Sequence, residues 1–186
     1  YSDDVVRKLA SMPTASDDFT IFWDNAYCVH HISQNRHKIL DIISICEKEG
    51  NPNRVFEFTS TSKITFPGGG VACCAASVEN INWITQNSLL QLKSGDKINQ
   101  YRHALFLKNL EGVQSHMEKH GKLIYEKFKI VDNVLKEELK ETNLAEWNIP
   151  DGGYFINVKL QPQMAQRVYE LCKICGVKIT PAGSTF

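Results

Sequence analysis

Nothing in this sequence approaches the roughly 20 consecutive apolar residues of a membrane-spanning helix, and no charged-then-apolar leader stands at its start. Charge of neither sign is in excess, since 21 Lys and Arg balance 21 Asp and Glu. That leaves no bulk electrostatic case for nucleic acid or for an anionic membrane. Cysteine is too sparse for a disulfide-held secreted scaffold, with six in 186 residues, so cytoplasmic thiols are expected. Internal repeats and low-complexity tracts are missing. So is an initiator Met: Tyr1-Ser2-Asp3-Asp4 reads as a processed start or as the start of a fragment. What is present is an ordinary globular balance, 42% hydrophobic and 23% charged, with length for one sizeable core or two small ones.

The spacing of Val5, Val6 and Leu9 predicts a helix from Asp3 to Ser11, capped by Ser2 or Asp3. Phe19 to Trp23 reads as a short buried strand. His37 to Glu49 carries a helical stripe of Ile39, Leu40, Ile42, Ile43 and Cys46, stopped by Gly50-Asn51-Pro52. Val55 to Thr59 is a second strand. Strand, helix and strand with short links predict a βαβ unit and a parallel sheet. After the turn Pro67-Gly68-Gly69-Gly70, Val71 to Ala76 reads as a buried strand of small residues that includes Cys73 and Cys74. Ser77 to Leu92 follows as a helix capped by Ser77. Ile98 to Glu141 is almost wholly helical in pattern, with an interruption near Asn109 to Gly112. The last part predicts a strand at Tyr154 to Val158, a helix at Met164 to Cys175 closed by Gly176, and a short strand at Val177 to Thr180. The fold class is therefore α/β: a mostly parallel sheet with helices, a long connecting helix, and a small α+β unit.

Both early strands end in reactive groups. The first runs into Asp24-Asn25-Ala26-Tyr27 and the second into Ser60-Thr61-Ser62-Lys63. In parallel sheets ligands gather beyond the carboxyl ends of the strands, so an acid, a phenol, hydroxyls and an amine share one candidate site. Pyridoxal phosphate (PLP) chemistry needs this set. A carboxylate such as Asp24 beside the pyridine nitrogen favours its protonated form. Tyr27 is typed to donate to the ring oxygen. Lys63 can form the imine and, once freed, act as the base. Ser60 and Ser62 suit the phosphate.

Other constellations read as structural. Cys172 and Cys175 could be half a zinc site or a redox pair, but no further ligands are evident and core cysteines are the expectation. His116 and His120, four apart, are read as solvated helix histidines. His30 and His31 either line the site or support it. A serine–lysine dyad is disfavoured, because neighbours on a strand point to opposite faces.

The two blocks, Asp24 to His31 and Ser60 to Ala76, resemble the fold type I PLP enzymes, the aspartate aminotransferase superfamily. They look closest to a bacterial branch of alanine- or aspartate-aminotransferase-like and MocR-type proteins. Asp151-Gly152-Gly153-Tyr154-Phe155 and Thr180-Pro181-Ala182-Gly183 resemble small-domain segments of that branch. The resemblance implies a Lys63 Schiff base, Asp24 at the pyridine nitrogen, Tyr27 at O3′, and Ser60 and Ser62 at the phosphate. It also implies a homodimer and amino acid and 2-oxo acid substrates. A PLP-dependent β-lyase acting on a C–S bond and the ligand-sensing domain of a MocR-type regulator are the alternatives. Residues 1–110 would belong to the PLP-binding large domain, and 111–186 to the long helix and an incomplete small domain. The chain would be a fragment, itself inactive. Two features stand apart from the resemblance. Val71 occupies the position where many relatives carry a phosphate-binding arginine, so amides of the Gly68–Gly70 turn become the substitute. Arg102 falls near where some relatives place a residue at the neighbouring subunit's site, and a surface arginine is the plainer reading.

Overall fold

The computed structural model describes all residues except 34, 35, 89, 182, 185 and 186. Leu89, within the expected helix of residues 77–92, and Ala182, within the Thr180–Gly183 match, therefore lie outside the described residues.

The first half is a three-stranded sheet in the order β1-β2-β3, formed by β1 (Ile21–Asp24), β2 (Val55–Ser60) and β3 (Ala72–Ala76). β1 and β2 are parallel, with Ile21 opposite Val55 and Asp24 opposite Phe58. β3 returns antiparallel, placing Ala72 against Ser60. Helix α1 (Asp3–Ser11) starts at Ser2, whose hydroxyl accepts the Val5 N–H, an N-cap of the ordinary kind. Helix α2 (Ile42–Lys48) is shorter than the 37–49 stripe predicts. The cause is local: Asp41 accepts from the Ser44 N–H at 3.1 Å and from its hydroxyl at 2.5 Å. That cap starts the helix late.

Both helices cover one face of the sheet. Val6 and Ala10 from α1 pack with Ile42, Ile45 and Cys46 from α2 against Trp23 and Val55. Val6, Ile42, Cys46 and Val55 are fully buried, and each large aliphatic here contributes about 1.5–3 kcal/mol. Arg54 closes the end of this core. Its Nη1 donates to the carbonyls of Leu9 (3.2 Å), Ala10 (2.7 Å) and Met12 (3.0 Å). These are carbonyls at the end of α1 that have no partner along the helix.

β3 is not the buried strand its small residues suggest. It is an edge strand flanked by α3 (Val78–Ser88), and Cys73 is exposed while Cys74 is half-buried. Ser77 caps α3 as expected, accepting from the Asn80 N–H at 3.2 Å.

The long helical region is broken. α4 (Lys97–Leu107) and α5 (Leu110–Leu139) meet at Lys108, which has φ 61°, and at Asn109, whose side chain accepts the Gly112 N–H. The buried residues of α5 are Met117, Gly121 and Phe128, at helical spacing on one side. Gly121 lies so close to the carbonyl of His31 that a Cβ would sit 2.5 Å from that oxygen.

In the last part β4 (Ala145–Asn148) pairs antiparallel with β5 (Asn157–Leu160), and α6 (Ala165–Ile174) ends before Gly176, which has φ 77°. Sequence reading missed β4, whose Ala-Glu-Trp-Asn has little apolar signal, and placed β5 too early. Tyr154 and Phe155 turn toward Tyr27 instead of pairing. Val177 to Thr180 forms no strand among the described residues. Cys172 is half-buried and Cys175 exposed, because α6 buries no residue, so these are not core cysteines.

Arg54→Met should lower stability by about 2 kcal/mol, since charge-assisted bonds to carbonyls at the end of α1 are lost. Arg54→Lys should recover less than half of that, because the lysine Nζ stands one bond short of the Nη1 position that reaches these carbonyls. Urea titration followed by circular dichroism measures both.

Candidate active site

The β1–β2 register sets the first half of the site. Side chains opposite one another, and those two apart along a strand, share a face. Asp24 therefore stands on the face that carries Phe22, Phe56, Phe58 and Ser60, away from the Trp23 core. The Phe22 ring meets Phe56 at 5.9 Å and Phe58 at 5.8 Å, both edge-on. Asp24 accepts the Ala26 N–H at 3.1 Å, which turns the chain sharply after β1. Asn25 fastens the turn to β2, its N–H donating to the Phe58 carbonyl at 2.8 Å and its Nδ2 to Glu57 at 2.6 Å. This turn brings Tyr27 to Lys63: Nζ lies 5.1 Å from the centre of the Tyr27 ring, a cation–π distance.

The loop that carries Lys63 is held from several directions. Thr61 pairs with Val71 twice, its N–H to the Val71 carbonyl at 2.8 Å and its Oγ1 accepting the Val71 N–H at 2.9 Å. His103 of α4 points Nδ1 at the Asn99 carbonyl (2.7 Å), so Nδ1 carries a proton, and Nε2 lies within hydrogen-bond distance of the hydroxyls of Thr61 (3.0 Å) and Thr65 (2.8 Å). His116 of α5 donates from Nε2 to the Ile64 carbonyl at 2.8 Å. It is thus tied to the site loop, not solvated as the sequence reading had it. The Lys63 carbonyl accepts from the Tyr154 hydroxyl at 2.9 Å and from His30 Nε2 at 3.2 Å.

His30 is buried, with 3% of its surface exposed. A carbonyl cannot donate, so its Nε2 carries the proton, and the buried Nδ1 lone pair has no partner among the described residues. Burial holds its pKa below the ordinary histidine value and keeps the ring neutral. Burial likewise pushes the Tyr154 phenol up, with Tyr27 adding to the effect. His31, half-buried, is lowered by burial and by nearby Arg36 and His37. Tyr27, His30, Asp151, Tyr154 and Phe155 border a cleft of about 830 Å³.

The expected site groups have their polar ends free. Among the described residues the hydroxyls of Tyr27, Ser60 and Ser62 make no hydrogen bond, Lys63 Nζ makes no ion pair, and Asp24 accepts only from Ala26. Neither serine is bonded to Lys63, as a dyad requires. A ring with a basic nitrogen, a phenolic oxygen, an aldehyde and a phosphate is complementary to this donor and acceptor set, so the residues present fit PLP. Ser62 also faces the glycine turn: a Cβ on Gly70 would lie 3.3 Å from both its N and its Oγ. The Val71 N–H, in contrast, is already taken by Thr61. Arg102 stacks 5.4 Å over the Phe66 ring and donates to Asn99. Tyr154, His103 and His116 were not read as site residues. The Gly-Gly-Tyr-Phe turn was visible in the sequence, but nothing local says that it reaches residue 63. No three metal-ligating side chains cluster among the described residues, and no described helix is long and apolar enough to cross a membrane.

Comparison with known proteins bears on the same geometry. The family model for aspartate amino-transferase matches residues 1–186. An aspartate aminotransferase of Corynebacterium glutamicum is 41% identical over 185 residues, which cover 100% of this chain and 43% of that protein. The crystal structure of an aspartate transaminase from Corynebacterium glutamicum superposes with a TM-score of 0.95 at 41% identity, covering 100% of this chain and 44% of that one. LysN, an α-aminoadipate aminotransferase from Thermus thermophilus crystallised with N-(5′-phosphopyridoxyl)-L-leucine, shares the fold with a TM-score of 0.73 at 21% identity, over 90% of this chain and 41% of its own. The chain thus spans less than half the length of the curated relatives it matches. A parallel strand pair ending in Asp24 and in the Lys63 loop, with a match that runs from the first residue to the last, shows that this chain belongs to the aspartate aminotransferase family.

Proposed function

We propose that the protein of which this chain is part transfers an amino group between an amino acid and a 2-oxo acid, using PLP held at Lys63. What supports the reading is that Asp24 ends β1 and Lys63 follows β2 with its Nζ 5.1 Å from the centre of the Tyr27 ring, in a member of this family. When bound, PLP supplies an electron sink for the pair released at the substrate's α-carbon.

The chain's own groups divide the remaining work. The Asp24 carboxylate would sit at the pyridine nitrogen and hold a proton there by its negative charge. The Tyr27 hydroxyl would donate to the ring oxygen. Ser60 and Ser62 would donate to the phosphate, with the close approach of Gly70 leaving room beside Ser62. Lys63 would hold the cofactor covalently and, with its amine freed by substrate, move the proton from the α-carbon. The Phe22, Phe56 and Phe58 rings would flank Asp24 on the same face of the sheet. On this reading residues 1–110 belong to the cofactor-binding domain and 111–186 to the connecting helix and small domain. The parent acts as a homodimer in the cytoplasm, in keeping with cysteines that are all free.

In the full-length parent, Lys63→Ala should abolish borohydride-trapped pyridoxyl on the peptide that contains residue 63. It should also slow transamination by about 10²–10⁴-fold; peptide mass mapping and a coupled assay read the two effects. Asp24→Asn keeps the shape and removes the charge. It should leave PLP trapped at Lys63 while turnover falls by roughly 10²-fold or more. Ser62→Ala should weaken PLP about tenfold in an equilibrium titration, the effect of one charge-assisted hydrogen bond. Wild-type trapping with Lys63→Ala, or unchanged turnover with Asp24→Asn, would overturn the assignment.

A further inference from the structure

The turn at residues 151–155 meets the Lys63 loop from more than eighty residues further along the chain, and Tyr154 is the side chain it delivers. The turn is docked by several backbone contacts. The Gly153 N–H donates to the His30 carbonyl at 2.8 Å, the Ile32 N–H to the Asp151 carbonyl at 2.9 Å, and His31 bridges Gly152. Gly152 allows this approach, since a Cβ there would lie 2.6 Å from the His30 oxygen.

What the docking produces is a closed set of three rings. Tyr27 and His30 are 5.1 Å apart, His30 and Tyr154 5.2 Å, and Tyr27 and Tyr154 5.7 Å, all edge to face. Two of these rings donate to the carbonyl of Lys63, and the third lies under its amine. Both ends of one residue are thus held by a single packed unit. A carbonyl oxygen has two lone pairs, and here each has a side-chain donor. The arrangement also leaves His30 Nδ1 buried without a partner, an unfavourable placement that an apolar side chain of similar size would avoid. Filling space therefore does not account for a histidine at this position; donation to Lys63 does.

We propose that Tyr154 and His30 are positioning residues for Lys63. Their paired donation fixes the peptide from which the lysine stem springs, so that the amine is presented on the Tyr27 ring and does not sweep through the many rotamers of a four-carbon chain. The 151–155 turn thereby governs how readily Lys63 captures the cofactor aldehyde. The inference rests on the reading of Lys63 as the residue that takes PLP and adds what prepares it for that role. It differs from a role in chemistry, because neither ring is required to touch the cofactor.

The test uses the cofactor-free full-length parent mixed with PLP, quenched with borohydride at timed intervals, with pyridoxyl at Lys63 counted by peptide mass spectrometry. Tyr154→Phe keeps the ring and removes only the O–H. Capture should slow about tenfold, while the melting temperature of the cofactor-free protein falls by no more than about 3 °C. His30→Leu should behave as Tyr154→Phe does, and His30→Gln, which keeps an N–H donor, should capture within about threefold of wild type. Capture at the wild-type rate by Tyr154→Phe overturns the proposal. So does slowed capture that tracks general unfolding, or failure of His30→Gln to outperform His30→Leu. If the wild-type parent itself captures no PLP at Lys63, the reading of Lys63 fails and the positioning role falls with it. Wild-type capture with unaffected variants removes the positioning role alone.

Discussion

The site depends on the parallel register of β1 with β2. That register decides which side chains leave the sheet on the α1–α2 side and which leave on the other. Trp23 and Val55 are committed to the core with Val6 and Ile42, so their neighbours Asp24 and Phe56 must face the opposite way. A slip by one residue would bury the carboxylate and expose Trp23. The burial of a few aliphatic side chains under α1 and α2 therefore fixes where an acidic group stands on the far face. Core packing and site geometry are one constraint seen from two sides of a sheet.

Much of this was legible because it is periodic or local. The α1 stripe and its Ser2 cap, the Ser77 cap, the parallel β1–α2–β2 unit and the interruption of the long helix at Asn109 all follow from spacing and capping chemistry. The pairing of Tyr27 with Lys63 was anticipated only as a shared location, since no local rule states how far a turn after one strand reaches toward a turn after the next. The small-residue run at Cys73 and Cys74 misled for a related reason. Composition signals that a strand can be buried, whereas position at the edge of the sheet decides whether it is.

The contacts that were missed have a common character. His30, His103, His116 and Tyr154 act mainly through bonds to backbone carbonyls or to threonine hydroxyls, not through partners of opposite charge. Such bonds leave no complementary pattern in sequence, because every residue has a carbonyl. A histidine four residues from another on a helix invites a metal or a solvent reading. Only the fold shows that His116 reaches Ile64 while His120 packs 4.8 Å from the His116 ring. An imidazole suits this use, since its two ring nitrogens point in fixed directions.

The reversal of backbone at Lys108 has a geometric outcome of its own. On one uninterrupted helix, His103 and His116 would stand about 20 Å apart along the axis and on nearly opposite sides, and a five-residue loop could not touch both. The left-handed step at Lys108, with Asn109 restarting the spiral, folds two arms of helix around residues 61–65. The helix is divided where two of its rings must converge on a single lysine-bearing turn.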